Sequence, residues 1–345
     1  RYWPRSSVQD SKLISLLCFI ACNFLWPSNQ KEHARRHCET PEPVRSPEVG
    51  LQADRPGAQP AIRGRDAEIG TLAYGFSRKP PKTIKCRPNV AVNLTTWGRC
   101  HVHLLTNRNC PPNVQMLEEL KGWSRICKNL YFWDYYFGAG HVLLPYPDLF
   151  MFKPNINTLL NYGVKGLFMH TEYEVPTTEL IDLRHYLMTR LLWNPKLNDR
   201  EVVDEFLNLH YGKAAPPIRR FINLLHGHYA AGNVHHSAHI MSIWDNFSVD
   251  ESVAAASLEL FKAALDLAEN ETIKARVEQA SICAYRAVID PIWKLKKDAA
   301  IDPALAGRMR PLVKKFFRLC DKYGLAGQVA SDRQRIEGIG EGFEP

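Results

Sequence analysis

Acidic and aromatic residues close two strand-like runs in the middle of the chain. Asp134, Tyr135 and Tyr136 fall at the end of the run Leu130–Phe137. A second polar set lies at the end of the run Val164–Thr171 and just beyond it: His170, Glu172 and Glu174. Carboxylates, phenols and imidazoles are groups that exchange protons and form hydrogen bonds at reactive centres. The two runs therefore predict a chemically active edge, provided that their ends meet.

The segment between the two runs decides whether those ends meet. A Pro-rich loop leads into Asn155–Tyr162, which is long enough for one helical crossover and is followed by Gly163. A strand, a crossover and a second strand form a parallel pair. Parallel barrels carry their chemistry at the carboxyl ends of their strands. We therefore expect the acids and tyrosines on one edge of a parallel sheet.

Two shorter runs precede this pair. Ile69–Gly75 is apolar and closed by glycine, and Asn89–Thr96 is rich in β-branched residues. A helix is predicted over Val114–Asn129, with one apolar face formed by Met116, Leu120, Trp123 and Cys127. Four strands with intervening helices in about 110 residues indicate an α/β fold, either half of an eight-stranded TIM-like barrel or one side of a doubly wound sheet.

From Thr178 onwards the pattern is helical. A first helix has a leucine face and ends before Asn194, and a second is predicted between an N-cap at Asp199 and a stop at Gly212. Further helices are predicted over Pro217–His226, Glu251–Glu269, Thr272–Ile289 and Ala304–Tyr323. These patterns divide the chain into a disordered or non-native segment 1–66, a barrel half 67–177 and a helical subdomain 178–345.

Charge and cysteine usage argue against several functional classes. The formal charge is +8 without a basic cluster, so we expect no nucleic-acid partner. Nine cysteines include no C-x-x-C pair. Cys86, Cys100 and Cys110 are either lone buried thiols or include one disulfide, and we expect no cofactor and no metal.

Two further segments carry local signals. The apolar run Leu13–Trp26 with Cys22 is typical of an export signal with a lipidated cysteine, and it is too short to span a membrane. We therefore expect an exported protein, whether periplasmic, extracellular or lipid-anchored. Five histidines crowd a later segment, where His235 and His239 are four residues apart. A polar linker between the barrel and the last helices explains them better than a metal site: His226, His228, His235, His236 and His239.

Several motifs in one order resemble a known family over roughly residues 68–230. They include the strings at 71–74, 133–135, 163–168, 183–187, 191–195, 205–207 and 211–215. This stretch looks like the domain of unknown function 4838, a family associated with glycoside hydrolase family 163 and distantly similar to the β-hexosaminidases.

The resemblance implies a TIM-like barrel that cleaves N-acetylglucosamine-containing glycans with retention of configuration. In such substrate-assisted chemistry one carboxylic acid protonates the leaving oxygen, and the substrate's own acetamide is the nucleophile. The family pattern places a carboxylate pair at the end of the fourth strand. If Ile69–Gly75 is the fifth strand, that pair should precede residue 66, where no such strand is recognisable. We therefore expect a truncated barrel that lacks its N-terminal half and its catalytic acid pair.

Candidate site residues follow from the same resemblance. Asp134 and Tyr135 would orient and polarise the acetamide, and Glu172 would act as the general acid or accept a sugar hydroxyl. Substrate contacts are expected from the remaining edge residues: Tyr74, Trp97, Arg99, His101, Tyr136, His170 and Glu174. Each role has a competing interpretation. Asp134 could be buried and cap a neighbouring loop, Glu172 and Glu174 could be solvated acids of a loop, and Trp97 could belong to ordinary packing. Two alternative functions stay open, namely a non-catalytic carbohydrate-binding domain and a purely structural remnant.

Overall fold

The computed structural model describes residues 68–96, 98–136, 143–170, 179–230, 235, 249–295, 301–327 and 329–337. The predicted disordered or non-native segment 1–66 lies outside these ranges. Four strands form one parallel sheet in chain order: β1 (Ile69–Ala73), β2 (Val90–Thr95), β3 (Asn129–Tyr135) and β4 (Val164–His170). All four predicted strands are present, with ends that lie at most two residues from the predicted ones.

The strand order is sequential. Each strand pairs with its neighbour in the chain, as in a TIM-like barrel and also as on one side of a doubly wound sheet. The fold is α/β with a partial barrel-like sheet and a helical C-terminal part.

Two helices connect the strands on one face of the sheet. Helix α1 (Pro111–Ile126) joins β2 to β3, and α2 (Phe152–Asn161) joins β3 to β4. Both begin three residues before their predicted starts. In α1 the reason is that Pro111 and Pro112 occupy the first turn, where the missing N–H groups cost nothing. The predicted apolar face of α1 is confirmed, since all four of its members are buried: Met116, Leu120, Trp123 and Cys127.

The C-terminal part consists of helices α3 to α10 in the described residues. Their bounds are Ile181–Trp193, Asp199–Tyr211, Ala215–Ala230, Glu251–Asp266, Glu271–Val288, Asp290–Trp293, Pro303–Lys322 and Ala330–Glu337. The predicted N-cap at Asp199 is wrong by one residue, because the Asn198 side chain accepts the hydrogen bond from the Arg200 N–H. The short α8 and α10 were not predicted from the sequence.

Two hydrophobic clusters form the core. One lies between α1 and the sheet and includes Val92, Leu94 and Phe132. The other fills the helical part and continues into the loops after β2 and β3, where it includes Val102 and Tyr136. The helical part therefore packs directly on the loops that leave the carboxyl edge of the sheet.

Strand register separates the sheet into two unlike faces. Val92 pairs with Leu130 and Leu94 with Phe132, so these side chains share the face that α1 covers. The opposite face carries Leu72, Asn93 and the aromatic side chains of β3 and β4: Tyr131, Trp133, Tyr135, Phe168 and His170. Neither hydrophobic cluster includes these aromatic residues. In a TIM barrel helices cover the outer face, so the aromatic face corresponds to the barrel interior.

Cysteines and helix lengths bear on two further expectations. The six cysteines in the described ranges are all free thiols: Cys86, Cys100, Cys110, Cys127, Cys283 and Cys320. Among the described helices, none combines the length and apolar character needed to cross a membrane.

Candidate functional site

The carboxyl ends of the four strands gather the polar residues at one edge of the sheet. Tyr74 follows β1, Thr96 and Arg99 follow β2, Asp134 lies near the end of β3, and His170 ends β4. This arrangement is the edge that the parallel pair predicted. The structure divides its side chains into a buried ionic group and an aromatic group that ranges from buried to exposed.

Asp134 is the centre of the buried group. The Arg99 guanidinium donates from Nε to Oδ1 at 2.9 Å and from Nη2 to Oδ2 at 2.5 Å. The Thr96 hydroxyl and the Tyr135 N–H, at 3.0 Å, donate to Oδ1 as well. Asp134 is 1 % exposed and Arg99 is 3 % exposed. Four donors thus occupy this carboxylate, which ties the loop after β2 to the end of β3.

The charge state of Asp134 follows from the same contacts. Burial by itself would raise the pKa of its carboxyl, but the charge and hydrogen bonds of Arg99, with His101 and Thr96, lower that pKa below its ordinary value. Asp134 is therefore a carboxylate at neutral pH and holds no proton to give to a leaving group. Its pairing supports the capping interpretation, in which the side chain fixes the loop that carries Arg99.

Two other predicted contact residues lie in the interior beside this pair. His101 and Tyr136 are each 1 % exposed. The His101 ring lies edge-on to Tyr136, with 6.5 Å between centroids, and to Tyr146, with 6.0 Å. Burial and the charge of Asp134 raise the pKa of Tyr136 well above its ordinary value. Arg99, His101 and Tyr136 therefore form a buried polar layer beneath the edge.

The aromatic group lies on the opposite face of the sheet. Trp133 packs edge-on against Phe168, with 4.7 Å between ring centroids, and Tyr135 lies 5.1 Å from His170. Burial, Tyr74 and Asp134 raise the pKa of Tyr135 to about 12, so its hydroxyl keeps its proton. Burial lowers the pKa of His170, which keeps its imidazole neutral. These rings combine apolar surface with neutral hydrogen-bonding groups.

Two exposed aromatic side chains extend this group at the end of β1. Tyr74 is 41 % exposed and Phe76 is 86 % exposed. Gly75 lies between them with φ of +55°, in the region that favours glycine, and turns the chain after the strand. Phe76 is not among the site residues predicted from the sequence. The available signal was a large aromatic residue directly after a strand-ending Tyr-Gly pair.

Three predicted site residues, Trp97, Glu172 and Glu174, lie outside the described ranges. Their proposed roles as a sugar platform, a general acid and a hydroxyl acceptor stay predictions. Of the predicted residues that are described, the edge brings together the pair Asp134 and Arg99 in the interior and Tyr135 and His170 on the aromatic face.

A second buried ionic group supports the edge from the helical part. Arg184 of α3 pairs with Asp148 and with Glu179, at 2.5 Å from the latter, and all three side chains are at most 2 % exposed. Its Nη2 also donates to the Tyr146 carbonyl at 2.5 Å. Burial raises the pKa of Asp148 to about 6 against the charge of Arg184, and Glu179 adds to the rise. This arginine joins the loop after β3 to the start of α3.

His226 is a further buried anchor, and the expectation that it belongs to a solvated linker is wrong. It lies in α5 at 9 % exposure. Its Nε2 accepts the Leu149 N–H at 3.1 Å, so Nδ1 carries the proton and donates to the Ile222 carbonyl at 2.8 Å. Burial lowers the pKa of this imidazole to about 3. The side chain is neutral and both nitrogens are used.

We expect His226 to make the fold acid-sensitive. The pKa of His226 is lower in the folded chain than in the unfolded chain. Its contribution to stability is therefore fully present at pH values above the pKa of the unfolded chain, and it is lost as the pH decreases towards the pKa of the folded chain. The loss approaches about 1.4 kcal/mol per pH unit below about pH 6. Urea unfolding between about pH 6.5 and about pH 4.5 measures this slope. His226→Gln should flatten it, whereas His228→Gln, on the exposed side of α5, should leave it unchanged. Equal slopes for wild type and His226→Gln would contradict the assignment.

Comparison with known proteins bears on the same stretch of chain. Residues 65–223 match the family model described as Domain of unknown function (DUF4838). The matched segment contains all four strands, α1 to α4 and the first half of α5. It therefore includes the Asp134 and Arg184 ion pairs together with the aromatic face. No curated protein matches the chain.

Proposed function

We propose that this chain binds N-acetylglucosamine-containing glycans on the aromatic face at the carboxyl edge of its sheet. The observation that supports the proposal is the aromatic group at that edge, in which Tyr74 and Phe76 are exposed, Trp133 and His170 are partly exposed and Tyr135 is buried. The resemblance of the motifs to glycoside hydrolase family 163 supports the same substrate class, and the segment that matches the domain of unknown function contains this edge.

The chemistry of this face suits a sugar. Apolar pyranose faces and acetamide methyl groups pack on aromatic rings, while a few placed polar groups fix the orientation. Tyr135 offers a protonated hydroxyl, and His170 offers a neutral imidazole. In addition, the buried Asn93 Oδ1 and Trp133 Nε1 on this face have no hydrogen-bond partner among the described residues. The face therefore combines stacking surface with polar atoms.

Retaining, substrate-assisted hydrolysis is the second candidate function, and the family resemblance supports it. Hydrolysis requires a carboxylic acid that can protonate the leaving oxygen. Asp134 does not meet this requirement, because Arg99 holds it as a buried carboxylate. Glu172 and Glu174 are the nearest candidates in sequence for that acid. Sugar binding is therefore the function that the described residues support best. Hydrolysis would in addition require Glu172 or Glu174 to act as the acid.

Titration with chitin oligosaccharides tests the proposal. We expect tryptophan fluorescence and calorimetry of the full chain to report saturable binding of triacetylchitotriose. Tyr74→Ala and Phe76→Ala should each weaken binding about tenfold, which is about 1.4 kcal/mol. Both side chains are exposed, so the fold should persist in each variant.

Trp193→Ala is the matched control, because Trp193 is 79 % exposed on α3, away from the edge. Its affinity should equal that of the wild type. Release of the aryl group from an aryl N-acetylglucosaminide, followed in the same samples, distinguishes hydrolysis from binding alone. No saturable binding of any N-acetylglucosamine oligosaccharide, or equal affinity in all three variants, would contradict the proposal.

A further inference from the structure

Four metal-ligating side chains converge beside the edge, next to Arg99. They are Cys100, His103, Cys110 and His235, and one donor atom from each lies within 4.8 Å of all the others. The Cys100 Sγ lies 3.4 Å from the His103 Nδ1, and the Cys110 Sγ lies 3.4 Å from the His235 Nδ1. We propose that these four residues bind a zinc ion.

The distances fit a tetrahedral site. Zinc–sulfur bonds of about 2.3 Å and zinc–nitrogen bonds of about 2.0 Å place neighbouring ligand atoms of a tetrahedron about 3.3–3.8 Å apart. Both sulfur–nitrogen distances of 3.4 Å fall in this range. The limit of 4.8 Å on the other pairs requires only a small contraction around an ion.

The donor set selects the metal. Two thiolates and two imidazoles form a Cys₂His₂ set, which suits zinc and excludes the oxygen-preferring calcium and magnesium ions. Four protein ligands fill a tetrahedral shell and leave no position for water, so the ion is structural rather than catalytic. Burial agrees with this role, because Cys100, His103 and Cys110 are buried and His235 is partly buried.

The loop that supplies three of the ligands is held in place by two asparagines. Asn113 of α1 accepts from the Cys100 N–H at 2.8 Å and donates to the His103 carbonyl at 3.0 Å. Asn155 of α2 accepts from the Leu105 N–H at 2.9 Å. Both asparagines are at most 3 % exposed. Such a fixed backbone presents ligands at defined positions, as the outer shell of a metal site does.

A disulfide between Cys100 and Cys110 is the competing use of the two thiols. It would leave unexplained why an imidazole nitrogen approaches each sulfur, His103 from the same loop and His235 from a distant segment. His103 and His235 also lie close together, with 5.0 Å between ring centroids. Because His235 is separated from Cys110 by 125 residues, an ion here clips the loop after β2 to the connection between α5 and α6. That clip holds the segment in which Arg99 reaches Asp134.

Metal analysis of the full chain tests the site. Protein purified with a thiol reductant, incubated with zinc chloride and dialysed should retain about one zinc ion per chain. Cobalt(II) in place of zinc should give the visible absorption of tetrahedral coordination together with sulfur-to-cobalt charge transfer. His103→Gln, Cys100→Ser and Cys110→Ser should each lower zinc affinity by at least about 100-fold, more than the loss of an outer-shell partner.

The controls keep this result interpretable. Cys86→Ser and His228→Gln remove a cysteine and a histidine outside the cluster and should retain zinc like the wild type. Added zinc should raise the unfolding temperature of the wild type and of both controls, because the folded chain brings all four ligands together and so binds zinc more tightly than the unfolded chain. Three results would overturn the proposal. The protein could remain free of zinc after reconstitution, or the three ligand variants could retain zinc like the wild type. The third is a Cys100–Cys110 disulfide, found by peptide mapping of protein that was purified without reductant and reconstituted with zinc. None of these outcomes depends on sugar binding.

Discussion

Replacing Arg184 with methionine is expected to lower the free energy of unfolding by about 3–5 kcal/mol at neutral pH, as removal of one partner from a buried ion pair does. The variant leaves Asp148 and Glu179 buried side by side without their shared cation. It also removes the hydrogen bond to the Tyr146 carbonyl. Chemical denaturation at pH 7 measures the change. Arg308→Met, on the exposed surface of α9, should change stability by no more than about 0.5 kcal/mol.

The pH dependence of the Arg184 variant separates charge from packing. Burial already raises the pKa of Asp148 to about 6 in the presence of Arg184, and removal of the cation raises it further. A carboxyl whose pKa is higher in the folded chain binds protons more tightly when folded, so stability increases as pH falls through that value. We therefore expect Arg184→Met to regain part of its lost stability between about pH 7 and about pH 5, relative to wild type. A constant deficit across this range would show that lost packing, not unpaired charge, causes the effect.

Replacing Asp134 with asparagine should have the second largest effect, about 3 kcal/mol of unfolding free energy. The amide keeps the shape of the carboxylate but leaves the buried Arg99 guanidinium without a counterion. The pKa of Asp134 is lowered in the folded chain. The ionised carboxylate therefore stabilises the fold at pH values above the ordinary carboxyl pKa, and this stabilisation is lost as the pH falls through the lowered pKa. The deficit of the variant should therefore shrink below about pH 4.

The double variant Arg99→Met, Asp134→Leu provides the test of this pair. Removing both charges should restore part of the stability that either single change loses, because no buried charge is left unpaired. Asp266→Asn, at an exposed position of α6, is the single-site control and should behave like the wild type. Where Asp134→Asn is folded, we expect it to weaken sugar binding only indirectly, because the loop after β2 that carries Arg99 is displaced. A stability of Asp134→Asn equal to that of the wild type would contradict the anchoring role.

The strands and their direction were predictable from local pattern. Short β-branched runs separated by one amphipathic segment allow few arrangements other than parallel neighbours, and α1 buried the face that its spacing indicated. Helix ends were harder to place. The Pro111–Pro112 pair extends α1 by one turn, and Asn198 rather than Asp199 caps α4. Such choices depend on single hydrogen bonds that periodicity does not contain.

Which face each site residue occupies was only partly readable. Asp134 has the same parity on β3 as Leu130 and Phe132, and this alternation indicates the covered face. Tyr135 has the opposite parity and lies on the aromatic face. The alternation along β3 thus indicated that Asp134 and Tyr135 lie on opposite faces and have different roles, although their neighbouring positions in the sequence favoured a shared role. The burial of His226 was not readable, because its acceptor role depends on the Leu149 N–H, 77 residues earlier.

The cysteine and histidine cluster shows a different limit. Cys100, His103 and Cys110 lie near one another in sequence but match no common zinc spacing, and His235 follows only after 125 residues. From the sequence, His235 and His239 were assigned to a polar linker, whereas the structure places His235 beside Cys110 in the loop after β2. Only tertiary packing brings these donors together.

A crystal structure of the full chain with triacetylchitotriose is the most direct test of the account. The sugar is expected on the aromatic face at the carboxyl edge, in contact with Tyr74, Phe76 and Tyr135. A competing place is the cleft between α3, α4 and α7, which Asp182, His210 and Arg276 line. Density for the sugar in that cleft, or none at the sheet edge at saturating sugar, would contradict the proposal that this sheet edge binds glycans.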